Sequence, residues 1–136
     1  MDVKFRYEYL GKGPLGNIYR PIAKVTLLSP HVQKSVDVWM IVDTGADFTI
    51  LPKHISEKLR ISFEKDCTKD VTEGVGGKQV IYLCKSKLKA KIGSLERNVP
   101  IGFFDTNEVP ALLGRLGFLE TFDVSFLKTH NVVFKA

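Results

Sequence analysis

The sequence is poor in cysteine and contains no long uncharged apolar run at its start. The first feature argues against a cysteine-based metal site or disulfide framework, and the second against a signal peptide or membrane span. Only Cys67 and Cys84 are cysteines among 136 residues, and their separation matches no metal-ligand spacing. A single disulfide would be weak support for an oxidising compartment, so we expect two buried free thiols. The N-terminal segment MDVKFRYEYL mixes charged with apolar residues, unlike a signal peptide or a membrane span. We therefore expect a cytoplasmic protein that makes no membrane contact.

Signatures of several enzyme classes are missing or incomplete. The sequence has no H-E-x-x-H and no G-x-S-x-G. Gly11, Gly13 and Gly16 fit G-x-G-x-x-G, but that fingerprint needs a helix whose first amides bind pyrophosphate. Pro14 and the strand-like segment NIYRPIAKV predict a loop between two strands instead. We expect neither a metal ion nor a cofactor.

Positive charge is in modest excess, with a formal net charge of +5. The lysines of KSKLKAKIG alternate, which places them on one face of a strand and is typical of a solvated face. No aromatic residues are interleaved with them, so we expect no nucleic-acid partner. A charge-driven nucleic-acid binder remains an alternative, and salt-dependent retention of DNA or RNA would support it.

The remaining pattern is mainly that of β-structure. With 44% hydrophobic residues, the chain can close a core without disulfides or metal, and we expect a single domain over residues 1–136. Apolar residues alternate or are β-branched between Gly, Pro and Asn turns, which predicts an all-β fold. Two stretches favour short helices, PKHISEKLRI and GRLGFLETF. The predicted strands span residues 3–10, 18–28, 36–42, 49–51, 80–92 and 96–101, with two more near the C-terminus.

An acidic residue follows one of these strands directly. Residues 38–42, Val-Trp-Met-Ile-Val, predict a strand that is mostly buried, and Asp43 comes next in IVDTGADFTILP. A carboxylate in such a position is costly unless it is hydrogen-bonded. Asp43 therefore either closes a turn at the end of the strand or takes part in chemistry.

Asp43-Thr44-Gly45-Ala46-Asp47 resembles the active-site motif of the retropepsins, the retroviral-type aspartic peptidases. Two further segments follow in the order found in that family. EGVGGKQVIYL resembles the glycine-rich flap hairpin, and ALLGRLGFLETFDVSF resembles the apolar-apolar-Gly-Arg strand with its following helix. The Gly-Phe-Leu-x-x-Phe continuation is more similar to stand-alone prokaryotic relatives than to viral ones. The resemblance implies a retropepsin-like acid protease fold, with one lobe per chain and one or two short helices.

The resemblance also implies roles for three sets of residues. Asp43, Thr44 and Gly45 would form the catalytic loop, in which the Gly45 amide bonds a carboxylate and the Thr44 hydroxyl bonds its counterpart in a second subunit. Arg115 would hold Asp47 with two bonds, the alternative being an unpaired surface arginine. The hairpin glycines would supply positive φ angles, as in any ordinary hairpin. The implied substrate-binding residues are Ala46, Asp47, Gly74, Val75, Gly76 and Gly77, and the implied structural support is Leu113, Gly114 and Arg115.

The number of catalytic aspartates sets the expected assembly. Aspartic peptidases place one water between two carboxylates that share a proton, so that one acts as base and the other as acid. This chain has one Asp-Thr-Gly, and the nearest imitation, Asp105-Thr106-Asn107, lacks the glycine. The resemblance therefore implies a homodimer in which two Asp43 residues meet at a twofold axis. Its substrates would be proteins or peptides bound in an extended conformation.

An alternative from another functional class is a peptide-binding or dimerisation module that keeps the fold and cleaves nothing. Three segments also depart from the viral pattern. Roughly six residues are inserted around SPHVQK, the N-terminal MDVKFRYEYL has no viral counterpart, and HNVVFKA extends past the viral end, where it predicts a hairpin with DVSF. How the termini build a dimer is therefore left open.

Overall fold

The computed structural model describes residues 2–74 and 76–136, and these residues are mainly β-strand. None of the helices in these two ranges is long and apolar enough to cross a membrane. The strands are β1 (Asp2–Arg6), β2 (Glu8–Gly13), β3 (Gly16–Arg20), β4 (Ile22–Leu28), β5 (Ser35–Val42), β6 (Thr49–Leu51), β7 (Cys67–Gly74), β8 (Gly77–Cys84), β9 (Leu88–Ile92), β10 (Leu95–Val99), β11 (Ile101–Phe104), β12 (Leu112–Leu113), β13 (Asp123–Leu127) and β14 (Asn131–Lys135). The α-helices are α1 (Lys53–Lys58) and α2 (Phe63–Asp66), and one turn of 3-10 helix spans Leu119–Thr121.

One large sheet dominates the fold. Its strand order is β10-β9-β4-β5-β12-β6-β11-β8-β7, and β7 and β10 are its edges. Strand β12 runs parallel to β5 and antiparallel to β6, while β11 runs parallel to β6. A separate sheet has the order β1-β14-β13, and β2 pairs with β3. A strand from the C-terminal part of the chain therefore lies between β5 and β6, directly beside the loop that connects them.

The larger cluster of buried residues includes the inward-facing side chains of β4 and β5, and a smaller cluster is formed by Ile50, Ile81 and Phe104. Strand β4 alternates between buried and outward residues, and Ala23, Val25 and Leu27 are fully buried. Strand β5 follows the same pattern, so that Met40 is buried while the neighbouring Trp39 is 56% exposed. The expectation that most of residues 38–42 would be buried is confirmed by Val38, Met40 and Val42, whereas Trp39 is exposed because it lies on the other face of β5.

The predicted all-β character and the helix in PKHISEKLRI are confirmed by the structure. GKGPLG contains the end of β2, the turn at Pro14 and Leu15 and the first residue of β3, and it does not start a helix. HNVVFKA pairs with DVSF as β14 and β13. Cys67 and Cys84 are both free thiols, of which Cys67 is buried and Cys84 half-buried.

The helix predicted in GRLGFLETF is wrong except for the single 3-10 turn. Gly117 interrupts the segment with a left-handed φ of +67°, and a Cβ there would lie 2.6 Å from Cδ of Pro100. Pro100 also divides one predicted strand into β10 and β11, since proline lacks the N–H that a sheet needs. Likewise, residues 85–87 separate β8 from β9, and Pro21 separates β3 from β4. Helix α2 and the full length of β7 had no clear signal in the sequence.

Candidate active site

The loop between β5 and β6, residues 43–48, is held in place by the backbone of β12 and the two residues after Gly114. The Asp43 N–H donates to the Leu113 carbonyl over 3.1 Å. From the other side, the N–H of Arg115 donates to the Ala46 carbonyl at 3.0 Å, and the N–H of Leu116 donates to the Asp47 carbonyl at 2.9 Å. Both ends of the loop are therefore fixed to the same segment. Leu113 itself is fully buried beneath the loop.

Gly114 makes this close packing of backbones feasible. A Cβ at this position would lie 2.2 Å from the carbonyl oxygen of Phe48, a distance that real Cβ atoms do not reach. The Gly114 N–H donates to Oγ1 of Thr49 over 3.0 Å. Thr49 is only 1% exposed, so this bond satisfies a buried hydroxyl as well as a buried amide. Thr49 was not among the predicted site residues, although a threonine in the apolar run after the loop needs such a partner.

Asp43 closes a tight turn at the head of the loop. Its Oδ1 accepts a hydrogen bond from the Gly45 N–H at 2.9 Å, and its carbonyl accepts one from the Ala46 N–H at 3.2 Å. A Cβ at Gly45 would stand 3.3 Å from the same Oδ1, which is closer than most side chains tolerate. From the sequence, Asp43 was expected either to close a turn or to take part in chemistry. The structure allows both roles, because the half-buried Asp43 side chain that closes the turn also lines a cleft.

Arg115 joins the two halves of the loop. Its Nη2 donates to Oδ1 of Asp47, and its Nη1 donates to the carbonyl of Thr44 over 2.8 Å. The ion pair is therefore present, but the expected pair of bonds to one carboxylate is replaced by one bond to each partner. The side chains of Arg115 and Asp47 are 45% and 66% exposed, so water screens their charges.

The cleft in front of Asp43 has a volume of about 430 Å³ and is formed by the loop, the β7–β8 hairpin and the segment that leads to β12. The structure brings the predicted residues Asp43, Gly45, Ala46, Asp47, Gly76 and Gly77 together here. The nine other lining residues were not predicted as site residues, and they are Phe48, Ile50, Thr72, Glu73, Gln79, Phe104, Val109, Pro110 and Leu112. Most of these lie on segments that are distant in sequence, and only the residues next to the glycine-rich tip had a local signal.

Thr44 is exposed but does not line the cleft, and it borders a neighbouring pocket together with Arg115, Val124 and Phe126. Val75 lies outside the described residues. No three His, Cys, Asp or Glu side chains within residues 2–74 and 76–136 are grouped so that they could hold a metal ion.

The β7–β8 hairpin forms the upper wall of the cleft. Its strands pair in register from Cys67 opposite Cys84 to Gly74 opposite Gly77. Gly77 has a φ of +97°, which only glycine adopts readily, and a Cβ at Gly76 or Gly77 would meet nothing within 4 Å. Strand β7 is an edge of the large sheet, so only β8 supports it from the side. The hairpin therefore borders the cleft and has open space beside Gly76 and Gly77.

Comparisons with known proteins agree with this arrangement. The sequence profile of the aspartyl proteases matches residues 29–116, which is well over half of the chain and includes the loop, the hairpin and β12. The crystal structure of a retropepsin-like aspartic protease from Rickettsia conorii superposes with a TM-score of 0.63 over 98% of both chains, at 17% sequence identity. Among curated proteins none matches the chain significantly. The expected retropepsin-like fold is confirmed, and the chain belongs to the aspartyl protease family.

Proposed function

We propose that this chain is an aspartic endopeptidase that hydrolyses peptide bonds with a water held between the Asp43 carboxylates of two subunits. The observation that supports this most directly is the placement of Asp43. Its carboxylate lies on a loop that is fixed from both sides, and it faces a cleft beneath a two-stranded hairpin. In an aspartyl protease this is where an acid must be held still. We further infer that residues 1–136 form one domain.

The proposed reaction needs two carboxyl groups with one proton between them. The ionised Asp43 takes a proton from the water, whose oxygen attacks the peptide carbonyl carbon. The protonated Asp43 of the second subunit donates its proton to the carbonyl oxygen, giving a tetrahedral intermediate. When the C–N bond breaks, the Asp43 that took the proton from water gives it to the leaving amine nitrogen. The other Asp43 takes back a proton from a hydroxyl of the intermediate, which leaves a carboxylic acid and restores the shared proton. The Gly45 N–H, which already bonds Asp43 Oδ1 at 2.9 Å, would hold one carboxylate in the required orientation.

The proposed substrate is an extended polypeptide lying between the loop and the hairpin. Apolar side chains, including Phe48, Ile50, Phe104 and Leu112, form much of the lining, and they suit apolar substrate side chains. Backbone groups of Gly76 and Gly77 border the same space and would bond the substrate main chain as an added strand does. The hairpin would then act as a flap that excludes water during the reaction.

A homodimer follows from the single Asp-Thr-Gly of the chain, and the surface beside the loop supports it. Thr44 is exposed there, and the pocket that it shares with Arg115 continues onto Val124 and Phe126 of β13. Strand β13 is an edge of its sheet, and Phe126 and Leu127 are exposed apolar side chains. A second copy that covers this surface would bring its own Thr44 and Asp43 loop close to the first.

Replacing Asp43 tests the chemistry. Asp43→Asn keeps the shape of the side chain but removes its ionisation, so cleavage of a diverse peptide library should fall by about a thousandfold or more. Cleavage is read by mass spectrometry at several pH values, and the dimer mass should remain. Asp105→Asn is the matched control, because Asp105 also precedes a threonine but lies in an exposed ion pair with Lys53 at 3.3 Å. It should cleave normally.

Two outcomes would contradict the proposal. Equal cleavage by wild type and Asp43→Asn would exclude Asp43 from the chemistry. A wild-type protein that binds peptides and cleaves none at any pH would favour the silent binding module instead.

Subunit mixing tests whether the site is shared. Specific activity should rise with protein concentration and level off above the dimer dissociation constant. Subunits of wild type are allowed to exchange with a ninefold excess of Asp43→Asn. About one tenth of the wild-type chains should then have a wild-type partner, so activity per wild-type chain should fall to about one tenth of its value without the mutant. The Asp105→Asn variant in the same excess should not inhibit. Constant specific activity on dilution, a monomer mass and no inhibition by the mutant would together reject the shared site.

A further inference from the structure

The two cysteines of the chain face each other at the base of the β7–β8 hairpin. Cys67 is the first residue of β7 and Cys84 the last of β8, and they are direct partners in the strand register. Their Sγ atoms are 3.9 Å apart, and both are free thiols. The site is therefore at the opposite end of the hairpin from the glycine-rich tip.

The backbone around this pair has the geometry in which opposite side chains come closest. The Lys85 N–H donates to the Asp66 carbonyl over 2.9 Å, so the hydrogen bond flanks the cysteine pair instead of joining its two residues. Cys67 and Cys84 thus form a non-hydrogen-bonded pair, for which the Cα atoms are about 4.5 Å apart in antiparallel sheets. This lies within the range of about 4.4–6.8 Å that disulfides span. Rotation of the two side chains would be enough to bring the sulfurs together.

We propose that Cys67 and Cys84 are a modification site at which a peroxide forms a reversible disulfide across the base of the hairpin. Cys84 is the entry point, because it is half-buried and lines a surface pocket of about 220 Å³ with His31, Lys65 and Lys85, whereas Cys67 is buried. The Cys84 thiolate attacks a peroxide oxygen, the O–O bond breaks, and the departing hydroxide takes a proton to become water. The thiolate of Cys67 then attacks the sulfenic sulfur, so that the S–S bond forms and the S–O bond breaks. The departing hydroxide takes up the proton that the Cys67 thiol lost and becomes the second water.

The surroundings of the pair predict slow oxidation at neutral pH. Burial raises the pKa of both thiols above the ordinary value, and the negative charge of Asp66 acts in the same direction on each. Lys85 opposes this effect at Cys67. Since only the thiolate attacks a peroxide, the oxidation rate should rise steadily as the pH is raised from 7 to 9.

Hydrogen peroxide and the fully reduced protein test the site. After treatment and alkylation, the intact mass should lack two hydrogens, both cysteines should resist alkylation, and peptide mapping should join the Cys67 and Cys84 peptides. The crosslink closes a short loop, so the melting temperature should rise by at least about 3 °C and return on reduction with dithiothreitol. Cys67→Ser and Cys84→Ser are the matched controls, and neither should gain stability on oxidation.

Three results would overturn the proposal. These are oxygen added to the cysteines without loss of two hydrogens, a disulfide that joins two chains, and an internal disulfide that leaves the melting temperature unchanged. Peptide mapping separates cysteine oxidation from oxidation of the methionines, so the wild-type experiment is decisive even if a serine variant folds poorly.

Discussion

The floor of the cleft and the hairpin above it both depend on glycine, but for opposite reasons. At Gly114 a Cβ would lie 2.2 Å from the Phe48 carbonyl oxygen, so no other residue fits. At Gly76 and Gly77 a Cβ would meet nothing within 4 Å, and at Gly77 the requirement is instead the φ of +97°. Glycine in the floor allows two backbones to touch, whereas glycine in the hairpin allows the chain to turn in open space.

The two regions also differ in how they are attached. The loop of residues 43–48 is bonded to the β12 segment at both ends and through the buried Thr49 hydroxyl. The hairpin is attached mainly at its base, where Tyr82 stacks on Phe63 at 4.3 Å between ring centres and Ile81 is buried. Its residues near the tip are exposed, so local opening there disrupts few buried contacts. The loop that bears the acid is tightly held, whereas the hairpin that borders the cleft is held mainly at its base.

The largest effect should come from placing a methyl group in the floor. Gly114→Ala forces the Ala side chain against the Phe48 carbonyl and should lower the free energy of unfolding by about 3 kcal/mol or more, or prevent folding. Gly76→Ala is the matched change in the hairpin and should alter it by less than about 1 kcal/mol. Urea unfolding of both variants measures the difference. Equal losses in the two variants would remove the contrast between floor and hairpin.

A smaller effect is expected from the ion pair that joins the two halves of the loop. Arg115→Ala removes bonds to Asp47 and to the Thr44 carbonyl, and because the pair is exposed the loss should be about 1 kcal/mol. The melting temperature should fall by a few degrees, and the dimer should weaken if Thr44 faces a second subunit. Arg6→Ala, at an exposed arginine of β1, is the control and should change neither quantity. A melting curve identical to wild type would mean that the pair does not stabilise the loop.

The smallest effect concerns the base of the hairpin and appears only in acid. Asp66 precedes β7, and its carboxylate accepts from the Ser62 N–H at 2.8 Å and lies 3.0 Å from Nε2 of His31. The Ser62 bond, followed by His31, lowers the pKa of Asp66 below the ordinary 3.8. The ionised form therefore stabilises the fold above about pH 4, and this contribution disappears as the pH falls below that value.

Asp66→Asn should remove this component of the acid sensitivity. Between about pH 5 and pH 2 its free energy of unfolding should depend less steeply on pH than that of wild type, with a difference under about 1 kcal/mol. Asp105→Asn serves as the control for the loss of one negative charge. Parallel pH profiles for wild type and Asp66→Asn, measured by urea unfolding, would show that Asp66 does not stabilise the base of the hairpin.

What the sequence predicted well was encoded locally. A β-branched strand, an acid and a small-residue turn lie together at Asp43, and the Gly-Arg pair follows the apolar β12, so both halves of the site were recognisable without the fold. What it missed depends on contacts between distant residues. The bond from Gly114 to Thr49 and the close approach of Gly117 to Pro100 each arise only when segments far apart in the chain meet.

The position of β12 has a consequence for the order in which the molecule is assembled. Leu112 and Leu113 pair with Ile41 and Val42, so the strand that fixes the Asp43 loop is synthesised long after the loop itself. A nascent chain that ends near residue 100 already contains the Asp-Thr-Gly motif but has no backbone to hold it. Contacts between residues so far apart form late and slowly, because a large loop must close before they contribute. The acid is therefore not fixed in any N-terminal fragment that stops before β12.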